Sequence, residues 1–524
     1  MLSCVLAPPF HTRPALLPFG PVLGSARACR ACSCFDWSGR LTLTCLVVPL
    51  LQDIKREEGG KTEGSFFIAA QVSMLLDEHK QAREYLKRTL DIQANYPQAK
   101  SLAGWIELTC GSEVKAKKSL DMFKEAQAAN PADVDAVLGE AMYMEQVKKD
   151  LREAIEILTG VVVKFSWFTP TEADKARLLV ALGEWELASE SANRALQLDP
   201  NSIEALSLSV LVLLAKDSKF SAASSRLGEL ADLISETEPH NPQLCHDKSA
   251  LFARLCARHG PILTQCLQLI TKATQLAPAD SNYMTELGYQ LTLSGDYTAA
   301  LTRYSEACKL DEANMTACYG KIICQILRGE PNEVEEAAQQ FEFLNEIHGG
   351  SGAPSDLYYI GALVASRKER DAGAVVRQLQ ETAKVHMEAV PLDVMSADML
   401  IKLNPDFIST LAKEMLEYAG SEPAPPGESA SPLVGKVLEI LRPVLKACPG
   451  ILDVKLMVAQ TRYLSSDFEG AQSVLADAIV LDPSHASSQM LMAKIFIEMQ
   501  RYREAISALE QALRSLSVHV FTYV

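Results

Sequence analysis

Cys29-x-x-Cys32-x-Cys34, followed by Cys45, is the one grouping in this sequence whose residue types and spacing suggest a metal. Four thiolates would suit tetrahedral zinc, but the second Cys-x-x-Cys pair of a structural zinc site is missing. Reduced thiols are the better reading. Two adjacent carboxylate pairs, Glu57-Glu58 and Glu335-Glu336, are the next candidates, as general acids or bases. Neighbours in sequence point to different parts of a helix surface, so neither pair converges on a substrate, and both read as exposed charge. The nine histidines are scattered, and no His-Glu-x-x-His, Gly-x-Ser-x-Gly or P-loop pattern occurs. Cys256, Cys266, Cys308, Cys318 and Cys324 fall at helical positions and read as small core residues. We assign no catalytic, cofactor-binding or metal-binding residue.

The elements that would have to position such residues are therefore the main subject. The chain has 524 residues, of which 48% are hydrophobic, 22% charged and 6% aromatic. That supplies a large core and excludes collagen-like, wholly disordered and polytopic membrane classes. The net charge of -16 gives no global field for nucleic acid, and no nucleic-acid partner is expected. Thirteen cysteines over this length are not a disulfide framework. The first 50 residues differ from the rest, with four arginines, one acid, six prolines and five cysteines. Residues 1–64 read as a leader that is disordered by composition; its charge resembles a transit peptide, but its prolines break an amphipathic helix. The apolar run 41–51 is too short to span a bilayer, so no membrane insertion is expected.

From residue 65 the texture becomes helix after helix, with few strand signals. Aligning the small residues of successive second helices gives Ala82, Ser119, Ala154, Ala188, Ala223, Cys266 and Ala300, at intervals of 37, 35, 34, 35, 43 and 34. Val437, Ala471 and Ala505 repeat at 34 and 34. This is the tetratricopeptide period, and it predicts an all-α superhelix of stacked antiparallel helix pairs. The strongest unit, 281–314, carries Leu287-Gly288 in its first helix and Gly295-Asp296-Tyr297 in its turn. Ala300, Tyr304 and Ala307 follow in its second helix. Gly288 and Ala300 are small where the helices cross, Tyr297 and Tyr304 fill the space beside them, and Ala307 makes room for the next repeat. Units 169–203, 452–485 and 486–513 repeat the pattern, with Ala188, Ala471 and Ala505 at the crossing. Pro200, Pro278 and Pro483 stop second helices.

The array is expected over 65–419, degenerate from about 350, with a Pro/Ser-rich loop at 420–433 and terminal repeats over 434–514. Residues 235–246 read as an extended connection and 349–354 as a loop. Between the loops, 356–418 is helical in pattern. The tail 515–524 alternates like a strand.

Three segments carry a family resemblance: Glu286-Leu287-Gly288-Tyr289-Gln290, Gln340-Phe341-Glu342-Phe343-Leu344-Asn345-Glu346-Ile347 and Lys402-Leu403-Asn404-Pro405-Asp406-Phe407. The last two lie outside repeat-consensus positions. The chain resembles the tetratricopeptide repeat protein 21 family, over roughly residues 65–513, with its A branch favoured over B. The resemblance implies a non-enzymatic scaffold, a subunit of intraflagellar transport complex A in retrograde ciliary transport and ciliary protein trafficking. It implies other complex A subunits and ciliary cargo adaptors as partners, and a location in the cilium and cytoplasm. It also implies far longer chains, so both ends here read as an alternative or shortened product.

A cytosolic adaptor of the co-chaperone type is the alternative. Such arrays clamp a C-terminal carboxylate with cations on their first helices. The comparable positions here are Asn282, Thr285, Glu286 and Tyr289, and in a later repeat Asp453, Leu456, Met457 and Gln460. Glu286 and Asp453 are expected to repel such a ligand.

Overall fold

The computed structural model describes residues 62–75, 78–111, 113–166, 168–348, 352–425 and 431–521. Most of the leader, with its cysteine cluster, Glu57-Glu58 and the apolar run 41–51, lies outside the described residues, as do the last three residues of the tail. The chain forms two compact units, one through Thr171 and one from Glu172 onward. That division does not coincide with the Pro/Ser-rich stretch after Gly420.

Unit 1 contains α1 (Glu63–Leu75), α2 (His79–Ile92), α3 (Pro97–Cys110), α4 (Glu113–Ala129), α5 (Val134–Tyr143) and α6 (Leu151–Lys164). Unit 2 begins within α7 (Pro170–Leu182) and continues through α8 (Trp185–Leu198), α9 (Ile203–Ala215), α10 (Phe220–Thr237), α11 (Pro242–Ala253), α12 (Gly260–Leu276), α13 (Ser281–Leu293) and α14 (Tyr297–Leu310). It goes on with α15 (Met315–Arg328), α16 (Pro331–His348), α17 (Ser355–Val364), α18 (Ala372–Ala389), α19 (Ala397–Leu403) and α20 (Pro405–Glu417). The last helices are α21 (Pro432–Ala447), α22 (Leu452–Leu464), α23 (Phe468–Leu481), α24 (Ala486–Glu498) and α25 (Tyr502–Phe521). No strand occurs among the described residues.

One local device builds the hairpins. A residue in the left-handed region precedes the N-cap of the second helix at Gly183, Gly295, Ser466 and Gln500. The next N–H then donates to the carbonyl five residues back: Glu184 to Leu179, Asp296 to Leu291, Asp467 to Arg462 and Arg501 to Phe496. This closure satisfies carbonyls that the first helix would leave bare. Asp296 and Asp467 then cap the second helix, accepting from the N–H groups of Ala299 and Gly470. Two hairpins use a π-turn instead, Met144–Lys148 and Ala365–Glu369, ending at left-handed Lys149 and Arg370.

The period follows from burial. All the aligned small residues, from Ala82 to Ala505, are buried, Ala154 and Ala300 completely. Ala307 is fully buried and Tyr304 nearly so, whereas Tyr297 is half-buried and Gly295 exposed in its turn. Gly288 is small for a different reason from the one expected. A Cβ there would lie 2.9 Å from the Tyr304 ring, and one at Gly320 in α15 would lie 2.4 Å from it. The ring is held between glycines of two successive first helices. Unit 1 repeats the arrangement, with Phe123 between Gly104 and Gly139.

Three readings are corrected. Residues 235–246 are mostly helical, and the connection between α10 and α11 is only Glu238–Asn241, with Asn241 capping α11 through the Leu244 N–H and Pro242 opening it. The described part of the tail is not a strand: α25 runs on through Phe521. The alternation there is too little to stop a helix already propagating from Tyr502. Cys308 and Cys318 are half-buried, with sulfurs 3.5 Å apart, rather than core residues like Cys256, Cys266 and Cys324.

Candidate functional site

The first helices of the unit 2 hairpins pack on one another, α11 on α13 and α13 on α15, and line one face of the stack. On that face Arg254, the C-cap of α11, donates through Nη1 and Nη2 to both Glu286 carboxylate oxygens, each at 2.7 Å. Glu286 is buried and Arg254 nearly so, at 8% and 12% exposure. Glu286 also accepts from Gln290 Nε2 at 2.9 Å, one helical turn on, and the Arg254 guanidinium lies 4.6 Å from the Tyr289 ring centre. Burial pushes the Glu286 carboxyl up, but the Arg254 charge and its bonds outweigh that, and the carboxyl sits below its ordinary range.

A second layer comes from far along the chain. Asn404 has left-handed backbone and joins α19 to α20, where its side chain accepts from the Phe407 N–H and Pro405 opens the helix. Its amide nitrogen donates to Tyr289 Oη at 2.9 Å, and Tyr289 is 115 residues away. Asp406, in the first turn of α20, accepts from Arg258 Nε at 3.1 Å and Nη2 at 3.0 Å. Arg258 Nη2 also donates to Thr410 Oγ1 at 2.9 Å. Arg258 occupies the left-handed position before the α12 N-cap, His259, so the hairpin turn itself aims the guanidinium at α20. Burial works against that charge, and Asp406 more than restores it. On the other flank, Tyr359 donates to Glu414 at 2.8 Å, and Tyr359 and His386 pack against Phe407 with ring centres 5.3 and 5.1 Å apart. A third closure joins the Gly450 N–H to the Ala215 carbonyl at 2.7 Å.

The face of α11–α13 that carries Tyr289 is therefore tied to the chain's own α19–α20. Glu286 and Asp453 are not free carboxylates facing a ligand: Arg254 neutralises the first, and Lys413 lies 3.1 Å from the second. Of the clamp positions, Thr285 is buried and Tyr289 is bonded to Asn404, leaving Asn282 exposed. The site is a lock within the fold, joining α11–α13 to α19–α20. Sequence reasoning quoted Glu286, Tyr289, Asn404 and Asp406 as markers without seeing that they meet, and it missed Arg254 and Arg258. The Asn-Pro-Asp start of α20 was the available signal.

Elsewhere among the described residues no other candidate group is poised for chemistry. Burial pushes the Cys256 and Cys324 thiols up to about 11 and Cys448 to about 12, where thiolate is scarce. Glu335 pairs with Lys368 and Glu336 accepts from Gln340, so that pair is exposed charge. Among the described residues no three metal-ligating side chains cluster, and no helix is long and apolar enough to cross a membrane.

Comparison with known proteins settles the family. The profile "Tetratricopeptide repeat protein 21 second ARM domain" matches residues 225–500, and "Tetratricopeptide repeat protein 21 N-terminal ARM repeat" matches residues 49–189. The chain belongs to the tetratricopeptide repeat protein 21 family. It is 32% identical to human tetratricopeptide repeat protein 21B over 464 residues, which is 88% of this chain and 35% of that one. Against human tetratricopeptide repeat protein 21A it is 31% identical over 471 residues, again 88% and 35%. The chain thus spans about a third of these relatives' length, and identities this close favour neither branch. Yeast Tom70 superposes with a TM-score of 0.36 at 14% identity, covering 88% of this chain and 94% of its own, too loosely to support an argument. ARM and tetratricopeptide arrays share the same principle, helix pairs that bury their apolar faces on their neighbours. A protein-interaction scaffold follows from this fold and family.

Proposed function

We propose that this chain serves as a non-enzymatic scaffold subunit of intraflagellar transport complex A, in retrograde transport and ciliary protein trafficking. The observation that carries the reading is family membership across both units. Its partners on this reading are other complex A subunits and ciliary cargo adaptors, met in the cilium and cytoplasm. The geometry supports contact through outer surfaces. Around α11–α13 the cations needed to clamp a peptide carboxylate are already held, Arg254 by Glu286 and Arg258 by Asp406. This counts against a co-chaperone-type adaptor. Large contacts spread over many residues suit a scaffold better than one pocket.

Crosslinking of the tagged chain in ciliated cells, with a tagged full-length relative as control, tests the proposal. Recovery of complex A subunits with both proteins is expected. Recovery with the control alone overturns it for this chain.

A further inference from the structure

Helix α16 buries Ala337, Ala338 and part of Phe341 against its neighbours, and a Cβ on Gly361 of α17 would lie 3.0 Å from Phe341 Cζ. That face accounts for the packing of the helix. It does not account for Phe343 and Ile347, which stand one turn apart on the opposite side with 63% and 61% of their surface exposed. An amphipathic helix places such residues inward, and a paired exposure of this kind marks a contact surface. Beside them, along the same stripe, run Glu342 and Glu346, both exposed. The helix carries five glutamates and neither lysine nor arginine. Arg328 pairs with Glu333 and Lys368 with Glu335, while Glu342 and Glu346 make no ion pair among the described residues.

We propose that this outer stripe of α16 docks a basic amphipathic helix of another protein. Its leucine or isoleucine ridge would cover Phe343 and Ile347, and a flanking row of lysine or arginine would lie against Glu342 and Glu346. Two parallel rows, one apolar and one acidic, set both the orientation and the charge of the partner. This goes beyond the scaffold reading, and it is measured on the purified chain, so it stands or falls apart from complex assembly.

The probe is a fluorescein-labelled synthetic helix about five turns long, with leucine at i, i+3, i+4 and i+7 and a lysine row on one flank. A second peptide carries glutamate in place of lysine. Anisotropy should show the full chain binding the lysine peptide, more weakly as salt rises. Phe343→Ser with Ile347→Ser should weaken binding by about tenfold or more without changing the circular dichroism melt. Glu342→Lys with Glu346→Lys should reverse the preference toward the glutamate peptide. Equal binding of both peptides, or unchanged binding after the Phe343 and Ile347 substitutions, overturns the proposal. So does a change confined to self-association in sedimentation, which would make the face a contact between copies.

Discussion

Units 1 and 2 are made of the same hairpins, yet they are held differently. Among the described residues of unit 1 the side-chain bonds between helices join neighbours: Arg83 with Glu107, Trp105 with the Asp135 carbonyl, Lys164 with the Pro131 carbonyl. In unit 2 the same neighbour contacts are supplemented by bonds across more than a hundred residues, from Arg258 to Asp406 and from Tyr289 to Asn404. A solenoid stabilised only by neighbours loses stability repeat by repeat. Unit 2 instead ties α11–α13 to α19–α20, so local opening at either end of the tie must break both.

The largest expected effect tests that difference. Arg254→Ala leaves Glu286 charged, buried and unpaired, and should cost unit 2 about 3–5 kcal/mol, read as lost hydrogen-exchange protection over both α11–α13 and α19–α20. The matching change in unit 1, Arg83→Ala, removes a 30%-exposed partner and should cost about 1 kcal/mol or less. Equal costs would erase the contrast. Acid should act in the same direction as the first substitution. Because Glu286 stands below its ordinary value of 4.5, its ion pair contributes fully above that pH and is lost as the pH falls through the lower folded value.

Much of the hairpin architecture was legible in the sequence, because burial at a fixed spacing is a local property. Ala188, Ala300, Ala471 and Ala505 are small and buried where the 34-residue period places them. The tie was not legible. Period gives each helix its neighbours but says nothing of contacts over 115 residues, and Asn404 and Asp406 look in sequence like an ordinary cap and first-turn acid. Of the aromatic brackets, Gly288 was read and Gly320 was missed because it belongs to the next repeat, whereas the unit was read alone; the bracket of Gly104, Phe123 and Gly139 was not read.

Those brackets provide the next effect. Gly139→Ala and Gly320→Ala would set a methyl 2.3 Å from Phe123 and 2.4 Å from Tyr304. Helix propensity favours alanine by about 1 kcal/mol, yet overpacking should leave each variant about 2 kcal/mol less stable by denaturant unfolding. Adding Phe123→Leu to Gly139→Ala should recover part of the loss. A stabilised Gly139→Ala would show that the ring moves aside freely and that the bracket places no demand on residue size.

A smaller effect separates the units by pH. Burial first, then the neighbouring Asp133 charge, pushes the Asp135 carboxyl up from 3.8 to about 7. Folded unit 1 therefore holds a proton that the unfolded chain has released, and its stability falls as the pH rises across that interval, opposite in sign to Glu286. Asp135→Asn should stabilise unit 1 by about 1–2 kcal/mol at pH 8 and change little at pH 4. Hydrogen exchange resolved over α3–α6 at both values would show it, and an equal gain at both would refute the assignment.

The smallest effect lies in a turn that both units share. Gly295 has φ 82°, yet a Cβ there meets nothing within 4 Å, and the same place in other hairpins is held by Lys149, Ser466 and Gln500. The demand at this site is conformational rather than steric. Gly295→Ala should therefore cost only about 1 kcal/mol, the penalty for an L-residue in the left-handed region, and Ser466→Gly should gain a comparable amount less the entropy of the freer unfolded chain. Denaturation midpoints of the two variants should move in opposite directions. A loss at Gly295 as large as that of Arg254→Ala would mean that the turn matters to unit 2 as much as the buried Arg254–Glu286 pair.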